Sequence, residues 1–239
     1  MQQLDNKVAL ITGGSKGIGY GIAATLLEQN MKVGITSRSQ ENADKAAEEL
    51  RKIGKGEVMA LQADVRDFDS QQQAVDKLLT AWGSLDLLVA NAGVGHFASI
   101  EEMTLEQWNQ TIETNLTGVF YSIKATVEAI KKAKGYIITI SSLAGANFFP
   151  QGSAYNASKF GLTGFTQSVM LDLRQHDVKV TTIMPGSVTS HFNQHTPSDE
   201  DSWKIQPEDL GNMVVHLMQL PPQTLPSKIE VRPAKPPKK

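Results

Sequence analysis

The chain has 239 residues, of which 40% are hydrophobic and 20% are charged, and its formal net charge at pH 7 is -2. This ordinary globular composition predicts one domain over residues 1–239, and the nearly balanced charge excludes a global basic field that would bind nucleic acid or an anionic membrane. With no cysteine, disulfides, thiolate metal sites and a cysteine nucleophile are also excluded.

The N-terminal segment predicts neither export nor membrane insertion. Residues 1–7 are polar, and the apolar run that follows ends at Gly13 and Gly14. Such a run is far too short for a signal peptide or a membrane span. We therefore expect a cytoplasmic protein without a membrane partner.

Short apolar runs then alternate with helical patterns, which is typical of βαβ units. The pattern predicts a doubly wound Rossmann fold, with a mostly parallel seven-stranded sheet and helices on both faces. Strands are predicted near 7–12, 32–36, 57–62, 85–90, 135–141, 178–184 and 228–231. Helices are predicted over 18–29, 41–53, 69–82, 105–133, 153–176 and 207–220.

Two segments break this alternation. Residues 189–205 are polar with isolated aromatic residues, and they follow a strand at the edge where open α/β sheets bind ligands, so we predict a lid there. Residues 233–239 are rich in proline and lysine, which predicts a flexible tail.

A glycine-rich loop, TGGSKGIG at residues 12–19, separates the first strand from the first helix. Glycines let the backbone approach a pyrophosphate, and the helix N-terminus supplies N–H donors. The spacing GxxxGxG alone is equally compatible with a plain turn, but its place in the first βα unit favours a dinucleotide site. The cofactor-binding candidates in this loop are Gly13, Ser15, Lys16, Gly17, Ile18 and Gly19.

The end of the second strand indicates which nicotinamide cofactor is bound. A carboxylate there would bind a ribose diol, whereas a cation would pair with a 2'-phosphate. Ser37 and Arg38 occupy this end, and Lys16 adds a second cation in the glycine loop. Because a guanidinium suits a phosphate, we predict NADP(H).

Tyr155 and Lys159 lie four residues apart in a predicted helix, so their side chains share one face. A free phenol has a pKa near 10, and a fixed cation favours its ionised form, which makes the pair suited to proton transfer. Alone, the pair is better explained by a half-buried aromatic residue beside a surface lysine.

Together, the glycine loop, the YxxxK pair and the motifs at the strand ends resemble the short-chain dehydrogenase/reductase family, from about residue 7 to residue 185 and beyond. The resemblance implies an NADP(H)-dependent oxidoreductase that transfers a hydride between nicotinamide and a carbonyl/alcohol pair. Tyr155 would be the acid, and Lys159 would also bind the nicotinamide ribose. Ser142, rather than Ser141, would stabilise the substrate oxygen, and Asn115 would hold a water beside the lysine.

The resemblance also implies further cofactor contacts. Asp64 and Val65 would contact the adenine. The nicotinamide carboxamide would lie near a segment in which Ser190 replaces the usual threonine. The remaining candidates are Asn91, Ala92, Gly93, Pro185, Gly186 and Val188.

Many members of the family are 3-oxoacyl-(acyl-carrier-protein) reductases, which is one alternative function. The basic residues that dock their carrier protein align with Glu128 and Leu171 here, and residues 227–233 lack their glycine-rich turn. We therefore expect a small ketone or diketone as substrate. The alternative from another class is a non-catalytic NADP(H)-binding sensor or scaffold, which is disfavoured because all four catalytic positions are present.

Several loop residues have two interpretations. Aromatic residues in loops near the nicotinamide indicate either an apolar pocket or ordinary loop packing. These are Phe97, Phe148, Phe149, Phe192 and Trp203. His96, His191 and His195 lack a metal-ligand spacing, so no metal site is predicted. The predicted helices 105–133 and 153–176 resemble those that pair between subunits, which predicts a homodimer or homotetramer.

Overall fold

One sheet forms the centre of the protein, whose computed structural model describes residues 3–190 and 192–235. Its strands are β1 (Val8–Ile11), β2 (Lys32–Ser37), β3 (Val58–Gln62), β4 (Leu87–Ala90), β5 (Tyr136–Ile140), β6 (Lys179–Pro185) and β7 (Lys228–Val231). Their order across the sheet is β3-β2-β1-β4-β5-β6-β7, and every neighbouring pair is parallel. The predicted seven-stranded Rossmann sheet is confirmed.

The helices between the strands begin and end where the local sequence favours it. They are α1 (Gly17–Glu28), α2 (Gln40–Leu50), α3 (Phe68–Trp82), α4 (Leu105–Ile112), α5 (Gly118–Ala133), α6 (Ser153–Leu173) and α7 (Pro207–Gln219). For example, the Asp67 side chain caps the first N–H groups of α3, which ends at Gly83 in the left-handed region. Within the described ranges, none of the helices is long and apolar enough to cross a bilayer.

Two apolar cores cover the two faces of the sheet. One core packs α1, α2 and α7 against the sheet and includes Ile22 and Leu210. The other packs α3, α5 and α6 and includes Leu78, Ile130 and Leu162. Every residue of β1 and of β4 is buried, as parallel strands covered on both faces require.

The helix predicted over 105–133 is interrupted, which corrects the sequence-based prediction. A π-helical turn, Glu113–Thr117, separates α4 from α5. Hydrophobic spacing does not distinguish this turn from a continuous helix, because the apolar face resumes after it. The turn directs the Asn115 side chain inward, where it is fully buried. The helix predicted over 153–176 also ends earlier, at Leu173, and continues as a short 3-10 turn.

The carboxyl ends of β1 and β4 form the switch point of the sheet, because the chain proceeds from β1 toward β2 on one side and returns to β4 on the other. Open α/β sheets bind ligands at this position. The loops that follow β1, β4, β5 and β6 all emerge at this edge, and they carry most of the predicted site residues.

The segment 189–205, the predicted lid, leaves this edge and returns to it. Its two ends meet in a bridge between Val188 and Ile205, and the Thr189 N–H donates to the Ile205 carbonyl at 2.9 Å. Two short 3-10 turns, Phe192–Gln194 and Asp199–Trp203, lie between these ends. Of the predicted tail 233–239, residues 236–239 lie outside the described ranges.

Candidate active site and cofactor cleft

The glycine loop adopts a backbone that other residues tolerate poorly. Gly13 and Gly17 have φ angles of 65° and 58°, in the left-handed region. A Cβ on Gly19 would lie 2.5 Å from the Gly13 carbonyl oxygen, so only glycine allows this close approach. Lys16 occupies the N-cap position of α1, and because its side chain carries no acceptor, it leaves the first N–H groups of the helix available to an anion.

Asn91 holds the loop in place from the end of β4. Its amide nitrogen donates to the carbonyls of Thr12 and Gly13 at 3.0 and 3.1 Å. The Thr12 hydroxyl in turn accepts from the N–H groups of Asn91 and Ala92. The predicted NAG segment, which ends at Gly93, is therefore joined to the glycine loop by a closed hydrogen-bond network across β1 and β4.

The ends of β2 and β3 bring together charged groups that lie at the surface. Ser37 ends β2, and the exposed Arg38 lies close enough to Asp64 to lower the pKa of that carboxyl. The larger cause of the lowered Asp64 pKa is Arg66, whose guanidinium lies 2.6 Å from the carboxylate. Val65, between them, is buried. Arg66 was not predicted as a site residue, although its position two residues after Asp64 is a usable signal.

Tyr155 and Lys159 lie together on α6, and burial changes both of their pKa values. Burial raises the pKa of Tyr155, and a hydrogen bond with the Ser142 side chain opposes that rise. Burial lowers the pKa of Lys159 to about 8. The ammonium lies 5.7 Å from the centre of the Tyr155 ring and donates to the neutral Ile140 carbonyl at 2.9 Å. Both shifts favour the uncharged side chains.

Asn115 connects the π-helical turn to the loop after β4. Its side chain accepts from the Val94 N–H and donates to the Val94 carbonyl, both at 2.8 Å. It also donates to the Ser158 hydroxyl at 3.0 Å, next to Lys159. The structure thus places Asn115 beside the lysine, on an element that hydrophobic periodicity does not predict.

The two serines after β5 have different environments. Ser141 is buried, and its hydroxyl bonds to α6 through the Lys159 carbonyl and the Thr163 hydroxyl. Ser142 is half-buried, interacts with Tyr155 and accepts from the Ala144 N–H. Of the two hydroxyls, that of Ser142 is therefore the one next to the phenol.

Asn156, which sequence reasoning missed, holds the loop that follows Ser142. Its buried amide nitrogen donates to the carbonyls of Ala144 and Asn147, both at 2.8 Å. Its amide oxygen accepts from the Phe149 N–H at 3.4 Å. A polar residue on the buried face of α6 is the sequence feature that could have identified Asn156.

The segment after β6 faces the glycine loop across the cleft. A Cβ built on Gly17 would lie 3.3 Å from the Ser190 Cβ, so these two loops approach each other closely. Gly186 donates to the Val231 carbonyl at 2.8 Å and thereby ties the segment to β7. Pro185 is buried at the end of β6, and Val188 forms the bridge to the far end of the predicted lid.

Three of the five aromatic candidates form one cluster with Tyr155. Phe97 and Phe192 contact its ring, with centroids 5.4 and 5.6 Å away, and Phe149 lies 5.9 Å from Phe97. Phe148 is 87% exposed, and Trp203 packs against Lys204 instead.

The histidines have separate partners. The imidazole of His96 bonds to Gln110, and that of His195 bonds to Asp201 at 2.6 Å. His191 lies outside the described residues. Across residues 3–190 and 192–235, no group of three or more His, Asp or Glu side chains is arranged to hold a metal ion.

This fold and this arrangement of residues are those of a Rossmann-type oxidoreductase. The chain belongs to the short-chain dehydrogenase/reductase family, since the family model for short chain dehydrogenase matches residues 7–201. It is 37% identical to trans-4-hydroxycyclohexanecarboxylate dehydrogenase of Sinomonas cyclohexanicum over 76% of this chain and 72% of that protein. It is also 37% identical to 3-oxoacyl-(acyl-carrier-protein) reductase of Staphylococcus aureus over 77% of this chain and 75% of that protein. Among solved structures, the chain is similar to alcohol dehydrogenase from Thermococcus sibiricus complexed with 5-hydroxy-NADP. The TM-score is 0.91 and the sequence identity is 29%, and the match covers 98% of this chain and 100% of that one.

Proposed function

We propose that the protein is an NADP(H)-dependent carbonyl reductase that converts a small ketone or diketone to the alcohol. The observation that carries the proposal is the buried Lys159 on the same helix as the half-buried Tyr155, with the Ser142 hydroxyl beside the phenol. A neutral phenol and a nearby buried ammonium are what proton donation to a carbonyl oxygen requires. A non-catalytic sensor would have no need to bury an ammonium at this cost.

The residues of the cleft fit a dinucleotide phosphate. Gly17 places no side chain between the start of α1 and Ser190, and the first turn of α1 presents N–H donors there. Arg38 and Lys16 are exposed cations at the adenosine end, which supports NADP(H) over NAD(H). Lys159 and the 185–190 segment would hold the nicotinamide half.

The proposed catalytic residues then have complementary tasks. When bound, NADPH would supply the hydride that the carbonyl carbon accepts. Tyr155 donates the phenolic proton to the carbonyl oxygen. Ser142 donates a hydrogen bond to the same oxygen as negative charge develops on it. Lys159 stabilises the phenolate that Tyr155 becomes, and Asn115 fixes the loop and helix around the lysine.

The test compares Tyr155→Phe with the wild type. We expect kcat for a diketone to fall by about 10³-fold, because the proton donor is lost, while the Kd for NADPH stays unchanged. NADPH oxidation and nicotinamide fluorescence measure these two quantities. Tyr121→Phe, on α5, is the matched control and should retain turnover. Retained turnover in Tyr155→Phe would remove this residue from the acid role.

The second candidate function is reduction of a carrier-linked 3-oxoacyl group. The identity with the Staphylococcus aureus reductase favours it. Against it, the Glu128 side chain is 82% exposed on α5, where it would repel an acidic carrier protein. A carrier-linked substrate and its free thioester analogue should be reduced with similar kcat/KM by a small-molecule reductase. A strong preference for the carrier-linked form would instead support the second candidate.

We also propose that the protein forms a homodimer or homotetramer. Several large apolar side chains are exposed on the three consecutive helices α4, α5 and α6. They are Leu105, Trp108, Phe120, Phe160 and Leu171. Light scattering at micromolar concentration should give at least twice the chain mass, and a monomer would contradict the proposal.

A further inference from the structure

The ring of the proposed proton donor, Tyr155, is in contact with two phenylalanine rings from separate loops. Phe97 follows β4, Tyr155 lies on α6, and Phe192 belongs to the predicted lid. The Phe97 ring meets those of Tyr155 and Phe192 edge to face, at interplanar angles of 61° and 70°. Such T-shaped contacts are the geometry in which aromatic rings attract each other most specifically.

The Phe192 ring occupies space that a glycine in the loop after β4 leaves open. A Cβ built on Gly95 would lie 2.5 Å from the Cζ of Phe192, so the loop after β4 accommodates the ring only because residue 95 is glycine. Phe149 extends the same wall at 5.9 Å from Phe97. Phe97, Phe149 and Phe192 therefore form one aromatic cluster beside the Tyr155 ring.

The same rings remain partly exposed to solvent. Phe97 is 36% exposed and Phe192 is 37% exposed, although both are large apolar side chains. Ordinary loop packing would bury them more completely, whereas an apolar wall that a ligand covers must stay exposed without that ligand.

We infer that the substrate of the proposed reduction is an aryl ketone, whose ring packs against Phe97 and Phe192 while its carbonyl oxygen meets Tyr155 and Ser142. This inference rests on the proposed carbonyl reductase function and names its substrate class. A saturated ring of equal size would bury similar area, but it would lack the edge-to-face attraction.

The experiment compares two ketones with the same carbon skeleton, acetophenone and cyclohexyl methyl ketone, and uses ringless 2,3-butanedione as the reference for turnover. The measured quantity is the ratio of kcat/KM for the aryl ketone to that for the saturated ketone. Because the two ketones differ in intrinsic reactivity, the informative result is the change in this ratio between wild type and variants. That change cancels the intrinsic difference.

Phe192→Leu and Phe97→Leu should each lower the ratio by roughly three- to tenfold, since each removes one ring contact. Phe192→Tyr keeps the ring and should retain the ratio. Phe148→Leu is the matched control, because Phe148 precedes Phe149 in the same loop, is 87% exposed and takes no part in the ring contacts above. It should leave the ratio unchanged.

The outcomes separate the inference from the proposed function. If the ratio is the same in wild type, Phe192→Leu and Phe97→Leu while 2,3-butanedione is still reduced, the aryl inference is wrong and the carbonyl reductase proposal stands. An equal shift in Phe148→Leu would also overturn the inference. If wild type binds NADPH but oxidises it with none of the three compounds, both are overturned. Should Phe97→Leu fail to fold, the Leu and Tyr variants of Phe192 decide the question.

Discussion

The two ends of the cleft use charge in opposite ways. At the proposed adenosine end, Arg38, Asp64 and Arg66 lie at or near the surface, where water and neighbouring charges stabilise them. At the catalytic end, Lys159 is buried and donates to a neutral carbonyl. Surface charges contribute to affinity and selectivity with little effect on stability, whereas a buried charge lowers stability and makes proton chemistry possible. Substitutions at the first end should therefore change cofactor affinity, whereas substitutions at the second end should change both stability and turnover.

The largest effect should come from Lys159→Met. In the proposed mechanism the variant lacks the ammonium that would stabilise the Tyr155 phenolate, so kcat should fall by about 10²- to 10³-fold. It should nevertheless be more stable at pH 7, by about 1 kcal/mol or about 2–4 °C in Tm, because a buried charge is replaced by an apolar side chain.

The pH dependence of that gain provides a second measurement. Since burial lowers the pKa of Lys159 to about 8, the folded protein releases this proton before the unfolded chain does. In the wild type, the contribution of Lys159 to the free energy of unfolding is therefore lowest below pH 8. It rises as pH increases from about 8 toward 10.5. The advantage of the variant should shrink over the same interval. Lys77→Met, at an exposed position on α3, should show no such dependence, and an advantage that grows above pH 8 would contradict the argument.

The fold, and the proximity of Tyr155 and Lys159, could be predicted from the sequence for physical reasons. Buried parallel strands leave continuous apolar runs, and the i, i+4 spacing of Tyr155 and Lys159 places both on one helix face. The π-helical turn around Asn115 could not be predicted, because its hydrogen-bond shift depends on tertiary contacts with Val94. The ring contacts at Tyr155 also depend on how separate loops meet, which no local pattern specifies.

Arg38→Ala tests the adenosine end. If the guanidinium binds the 2'-phosphate, the Kd for NADPH should rise by about tenfold while that for NADH stays constant. Nicotinamide fluorescence measures both, and Tm should remain within about 1 °C because the side chain is exposed. Arg51→Ala, after α2, removes an exposed arginine without altering the cleft. An equal rise in the Kd for NADPH and for NADH would show that Arg38 attracts both cofactors without recognising the 2'-phosphate.

Asn156→Ala tests how the catalytic end is positioned. Loss of its two donated hydrogen bonds should loosen the loop that carries Ser142, so we expect kcat to fall by about tenfold at unchanged Kd for NADPH. Because the Ser142 interaction lowers the Tyr155 pKa, the phenol pKa in the pH–rate profile should rise further. Asn147→Ala, an exposed residue of the same loop, is the control. A loss of stability without any change in the profile would show only a structural role.

The smallest effect concerns a hydroxyl within the central sheet. Among the described residues, the buried Thr182 hydroxyl on β6 has no hydrogen-bond partner, whereas that of the adjacent Thr181 bonds to Tyr136 and to the Pro226 carbonyl. Thr182→Val should therefore raise the free energy of unfolding by about 1 kcal/mol, since it removes an unsatisfied polar group at constant shape. Thr181→Val should lower it by about 1–2 kcal/mol, since it leaves its partners unpaired. Denaturant unfolding measures the free energy of unfolding of both variants. Equal losses of this free energy would show that the Thr182 hydroxyl has a hydrogen-bond partner in solution. Turnover should stay at the wild-type level in Thr182→Val, because the stability of the sheet and the chemistry at Tyr155 depend on different groups.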